Sequence, residues 1–163
     1  MKNRKNPLEH LFEGKKGKTL VFGIGNTLRS DDGVGSVLVK KLEGKTGALC
    51  LDGGSAPENY LGKILKAKPD TILIIDAVHM NTDPGEYRLM KPESLGGAGI
   101  TTHSIPLPVL TEYLESQLGS DIYILGVQPR NVGLGDSLSD AVERTVDELE
   151  RMLTLAIPPS RIT

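Results

Sequence analysis

Short apolar runs alternate along this chain with segments of helical spacing, and that order leaves few folds open. TILIIDA, Thr71–Ala77, is a continuous run rich in β-branched residues, the pattern of a strand covered on both faces. TLVFGI (Thr19–Ile24) and IYILGV (122–127) repeat it, and GALCLDGG adds a shorter strand, 48–51, ending at Asp52. Between them, residues 34–43 place Val34, Val37, Leu38 and Leu42 on one helical face. Pro57 precedes a short helical stretch, ENYLGKILKA, and residues 105–118 read as a helix with prolines near its start, where they are tolerated. PGEYRLMK, from Pro84, is a turn feeding a short strand at a sheet edge. A last helix is expected over 138–155, opened by the S-x-x-D pair Ser137 and Asp140. The order predicts an α/β three-layer sandwich, with a mostly parallel central sheet of about five strands and helices on both faces.

With 163 residues the chain fits one domain, expected over 18–157, after a flexible polar lead-in (1–17) and before a tail (158–163). A formal net charge of −2 argues against a nucleic-acid or anionic-membrane surface. No apolar run approaches membrane-spanning length and the first residues lack a signal-peptide core, so the expected location is cytoplasmic, without membrane insertion. Cys50 is the sole cysteine, which rules out a disulfide framework or a thiolate cage and reads as a packed, inert thiol.

In a parallel sheet, ligands bind beyond the carboxyl ends of the strands. Asp32 follows the first strand, Asp52 closes the second and Asp76 closes the third, so all three acids are expected at one rim. FGIGNTLRSDDGVG opens like a dinucleotide loop, with Gly23 and Gly25, but Leu28 stands where a third glycine belongs, and Asp31 and Asp32 follow. Crowded carboxylates repel unless a cation or a proton sits among them. His103, in GAGITTHSIPLP, ends a loop that Gly96, Gly97 and Gly99 would let fold over a site; His79, three residues past Asp76, lies near the same rim. Each residue has a plainer role. Asp31 or Asp32 would serve as a helix cap, Asp52 as a turn former, and His103 as a surface histidine, whereas an acid ending a buried strand, as Asp76 does, needs a partner.

GIGNTLRSDDGVG, LDGGSAPEN, LIIDAVHM, DPGEYR, ITTHSIPLP and ILGVQPRNVG, in that order, resemble the hydrogenase maturation endopeptidases, and DGGSAPEN with TTHSIPLP is most similar to the branch serving formate-hydrogenlyase-type hydrogenases. The resemblance implies removal of a C-terminal extension from the nickel–iron hydrogenase large-subunit precursor after nickel insertion. It implies metal ligands at Asp32, Asp76 and His103, and it assigns no role to the residues between Asn26 and Asp31. Two carboxylates and an imidazole suit nickel, zinc or cadmium and leave coordination positions open. The expected ion is nickel carried by the substrate, with no organic cofactor. Asp52 is the candidate catalytic general base, and Asp31, Gly53, Gly54 and His79 are candidates for substrate contact. A monomer is expected. Rival readings are a non-catalytic metal-sensing module that docks on the hydrogenase subunit, and a nucleotide-binding regulator using Gly23 and Gly25.

Overall fold

Five strands form one sheet in the computed structural model, which describes residues 6–95 and 105–159. In chain order the elements are α1 (Pro7–Phe12), β1 (Thr19–Ile24), α2 (Val34–Leu42), β2 (Leu49–Gly54), α3 (Leu61–Ala67), β3 (Thr71–Ala77), β4 (Tyr87–Met90), α4 (Leu107–Leu118), β5 (Asp121–Val127) and α5 (Asp140–Ala156). The strands lie in the order β2-β1-β3-β5-β4, all parallel except β4, which runs antiparallel along β5 at the edge. This is the expected α/β sandwich.

Alternation within the central strands assigns each apolar residue to a layer. Val21, Leu73, Ile75, Leu125 and Val127 pack with α1, α2 and α5, while Leu20, Phe22, Ile72, Ile74, Ile122 and Ile124 pack with α3 and α4. Side chains of consecutive strand residues point to opposite faces, so a strand buried on both sides must be apolar throughout. That requirement explains TILIIDA, in which Ile72 to Ile75 are fully buried.

Three elements depart from the sequence expectation. The polar lead-in contains α1, whose Leu8 and Phe12 are buried against the layer that holds α5. The spacing of four puts both on one face, and Asn6 caps the helix by accepting from the Leu8 N–H at 2.9 Å. Strand β2 continues past Leu51 to Gly54, so Asp52 lies within it, opposite Gly23 of β1. Helix α5 starts at Asp140 with Ser139 as its N-cap, two residues later than the S-x-x-D pair at Ser137 suggested.

Candidate active site

Strands β1 and β3 are neighbours in the sheet, and β2 and β5 flank them, so the chain switches direction of winding between β1 and β3. The crevice at such a switch point, beyond the carboxyl ends, is where doubly wound sheets bind ligands. Asp32 and Asp76 stand on its two sides. Asp76 is the penultimate residue of β3, next in line after the Gly23–Ile75 pair, and Asp32 lies in the 3-10 turn Ser30–Gly33 that follows β1. Both acids are almost wholly buried. The Asp32 carboxylate reaches back to accept the Asn26 N–H at 3.0 Å, and Asp76 accepts the Ala77 N–H at 2.8 Å.

The glycines of the opening loop serve packing. A Cβ on Gly25, at φ 151°, would collide with the carbonyl oxygen of Asp32, and one on Gly35 with the carbonyl oxygens of Ile75 and Ile24. Only hydrogen side chains let the loop fold back on itself and α2 press against β1 and β3. The loop is therefore a tight carrier for Asp32, which agrees with the missing third glycine of a phosphate cradle.

Asp31 is fully buried, and its carboxylate belongs to a different network. Its carboxylate accepts the N–H groups of Arg130 (2.9 Å), Asn131 (3.2 Å) and Ser139 (2.7 Å), and the Ser139 hydroxyl at 2.8 Å. Neither helix cap suggested by the sequence uses an acid here, because no side chain caps the Ser30–Gly33 turn or α2. The same network explains why Ser139 makes no capping bond to its own helix.

Asp52 lies one strand farther out, on β2. Its Oδ1 accepts the Gly54 N–H at 3.0 Å, and its Oδ2 is 3.4 Å from Nζ of Lys40 on α2. By alternation it shares the α2 side of the sheet with Cys50, whereas Asp76 follows Ile72 and Ile74 on the α3–α4 side. Gly53 is packed so closely that a Cβ would strike the Phe22 ring, while Gly54 faces open space in a left-handed conformation, φ 57°. His79 is exposed on the segment after β3. His103, with Gly96, Gly97 and Gly99, lies outside the described residues. Among the described residues no group of three His, Cys, Asp or Glu side chains is placed to hold a metal ion.

Gln128 was not singled out by sequence reasoning. Buried at the carboxyl end of β5, it accepts the Met80 N–H on Oε1 at 2.6 Å and donates from Nε2 to the Pro129 carbonyl at 3.1 Å. Its backbone pairs with Gly85 and Glu86. It ties the segment carrying His79 to the turn before β4. The rule that placed the three acids, position at a parallel strand's carboxyl end, would also have found it.

Fold and rim together define a doubly wound α/β protein with buried carboxylates at its topological switch point. Residues 34–156 match the family described as hydrogenase maturation protease. The chain is 37% identical over 134 residues to the hydrogenase 3 maturation protease of Escherichia coli K12, covering 78% of this chain and 85% of that one. The crystal structure of a NiFe hydrogenase maturation protease HycI from Thermococcus kodakarensis KOD1 superposes with a TM-score of 0.83 at 32% identity, over 93% of this chain and 98% of that one. The solution structure of the endopeptidase HycI from Escherichia coli gives 0.76 at 32% identity, over 84% and 89%. The chain belongs to the hydrogenase maturation proteases and is an endopeptidase.

Proposed function

We propose that this protein removes the C-terminal extension of a nickel–iron hydrogenase large-subunit precursor once nickel has been inserted, and that it recognises the nickel through Asp32, Asp76 and His103. The observation that carries the reading is the burial of two acids, one in the turn that follows β1 and one near the end of the adjacent β3, at the switch point in a chain of this protease family. Carboxylates and an imidazole match nickel's preference for nitrogen and oxygen donors, and zinc or cadmium would fit the same set. In this reading the ion arrives on the substrate, and the three side chains complete its shell. A precursor without nickel then lacks the feature that positions it.

Asp52 is the proposed general base. Its oxygen would accept a proton from water as the water oxygen attacks the scissile carbonyl carbon. The carbon–nitrogen bond then breaks, and the same proton passes to the leaving amine. The Gly54 N–H and Lys40 fix the orientation of Asp52, and the partly exposed carboxylate remains open to solvent water. Gly53, Gly54 and His79 border the path of the substrate tail in this scheme. Asp31, enclosed by its four donors, would act on the substrate only by holding the loop. The enzyme is proposed to work as a monomer in the cytoplasm.

The test is incubation with nickel-loaded and nickel-free large-subunit precursor, followed by product mass measurement. Loss of one defined C-terminal peptide from the loaded form alone is the expected result. Cleavage of both forms would refute nickel recognition, and tight association without a mass change would refute cleavage. Asp32→Ala, Asp76→Ala and His103→Ala should each abolish processing in a folded protein, and full activity in Asp52→Asn would remove Asp52 from the chemistry.

A further inference from the structure

Two large apolar side chains stand in solvent on the loops that border Asp32. Leu28 is 67% exposed and Leu134 is 85% exposed. Far apart in sequence, they sit on backbone segments that run side by side. The Gly135 N–H donates to the Leu28 carbonyl at 3.0 Å, the Ser30 N–H donates to the Gly135 carbonyl at 2.9 Å, and Arg29 bridges Gly135 in parallel.

This pairing is held firmly and against local preference. Ser30 adopts φ 52°, a left-handed conformation disfavoured for a residue with a side chain, and its hydroxyl donates to the Gly133 carbonyl at 2.9 Å. The buried Asp31 carboxylate fastens the same two loops. Strain of this kind persists where surrounding contacts over-determine it, and it gathers at binding sites. Leucines held in water on such a support add nothing to the core; they gain stability when another surface covers them.

We infer that Leu28 and Leu134 form an apolar docking ridge for the hydrogenase large-subunit precursor, beside the acids of the rim. The inference rests on the reading above that the precursor is the substrate. Continuity selects this occupant: Leu28 and Asp32 share one short loop, so a protein that brings its ion to Asp32 must lay its surface over that loop. The ridge supplies a hold that does not depend on nickel, complementary to the acids, which respond to the ion.

The experiment compares wild type, Leu28→Ser/Leu134→Ser and the control Leu155→Ser, whose leucine is 70% exposed at the far end of α5. Affinity for nickel-loaded and nickel-free precursor is measured, with KM, kcat and Tm. The double variant should bind both precursor forms roughly tenfold more weakly and raise KM by a similar factor, with kcat and Tm kept. Leu155→Ser should match wild type. Wild-type affinity and KM in the double variant would overturn the ridge. So would a wild-type dimer that the double variant splits without changing precursor affinity, since the leucines would then serve self-association. If wild type binds without cutting and the double variant binds more weakly, the ridge stands and the cleavage reading falls.

Discussion

Replacing Asp31 by alanine would leave three backbone N–H groups and a serine hydroxyl without their acceptor inside the protein. Stranding buried donors costs on the order of 1–3 kcal/mol each where water cannot reach them, so Asp31→Ala should lose about 3 kcal/mol or more in urea unfolding. Asp32→Ala should keep the fold and lose processing. The contrast between the two neighbours is the measurement. Cys50 offers a second residue-scale test. Burial pushes its thiol pKa up, the Thr46 hydroxyl opposes this, and Glu43 adds to it. Thiolate is the reactive form. Alkylation should therefore be slower than for a free cysteine at pH 8 and accelerate as pH rises well above about 8.5. At this scale the sequence pointed to Asp32, Asp52 and Asp76 as candidates because each was expected near the carboxyl end of a parallel strand, and each does lie near one. It did not reveal the partner of Asp31, because Ser139 lies 108 positions away and no local pattern joins them.

Elements were legible where their own side chains carry the signal. β1 and β3 have the bounds their apolar runs suggested, and β4 is the edge strand that PGEYRLMK suggested. β2 outran its apolar stretch because its last residues owe their strand character to backbone pairing with β1, Asp52 with Gly23 and Gly54 with Ile24. In α1, one turn of apolar contact is diluted by the charged residues around it. Its weight is testable: Leu8→Ala should cost about 2–3 kcal/mol, as truncation of a buried leucine does. Glycine substitutions separate crowding from conformation. Gly35→Ala must push carbonyl oxygens of β1 and β3 aside and should cost about 3 kcal/mol, whereas Gly54→Ala meets open space and should cost about 1 kcal/mol for its left-handed backbone. Denaturation midpoints of the pair check the difference.

At the scale of the whole molecule, three groups among the described residues, Cys50, Tyr87 and Lys15, hold their protons more tightly when folded. Cys50 and Tyr87 are raised by burial, Tyr87 also by Glu148. Lys15 is lowered by burial but raised overall by the hydrogen bond and charge of Asp121 and by Tyr123. A group whose folded pKa exceeds its unfolded value stabilises the native state below the unfolded pKa and loses that contribution as pH climbs through the folded one. Stability should therefore decline progressively above about pH 8.5, the ordinary thiol range, and continue falling past about pH 10 as the phenol and ammonium titrate. Urea midpoints at pH 8 and pH 10.5 would show it; a flat profile would contradict the shared direction.

The anchorage of Asp31 has a consequence for the order of synthesis. Its acceptor oxygens wait for donors made much later in the chain, at positions 130, 131 and 139. A nascent chain that has emerged only as far as β3 already carries Asp32 and Asp76, yet lacks the donors through which Asp31 anchors the Ser30–Gly33 turn. Contacts of such long sequence separation form late. The turn beside Asp32 therefore gains its anchor only after the ribosome has delivered β5 and the start of α5.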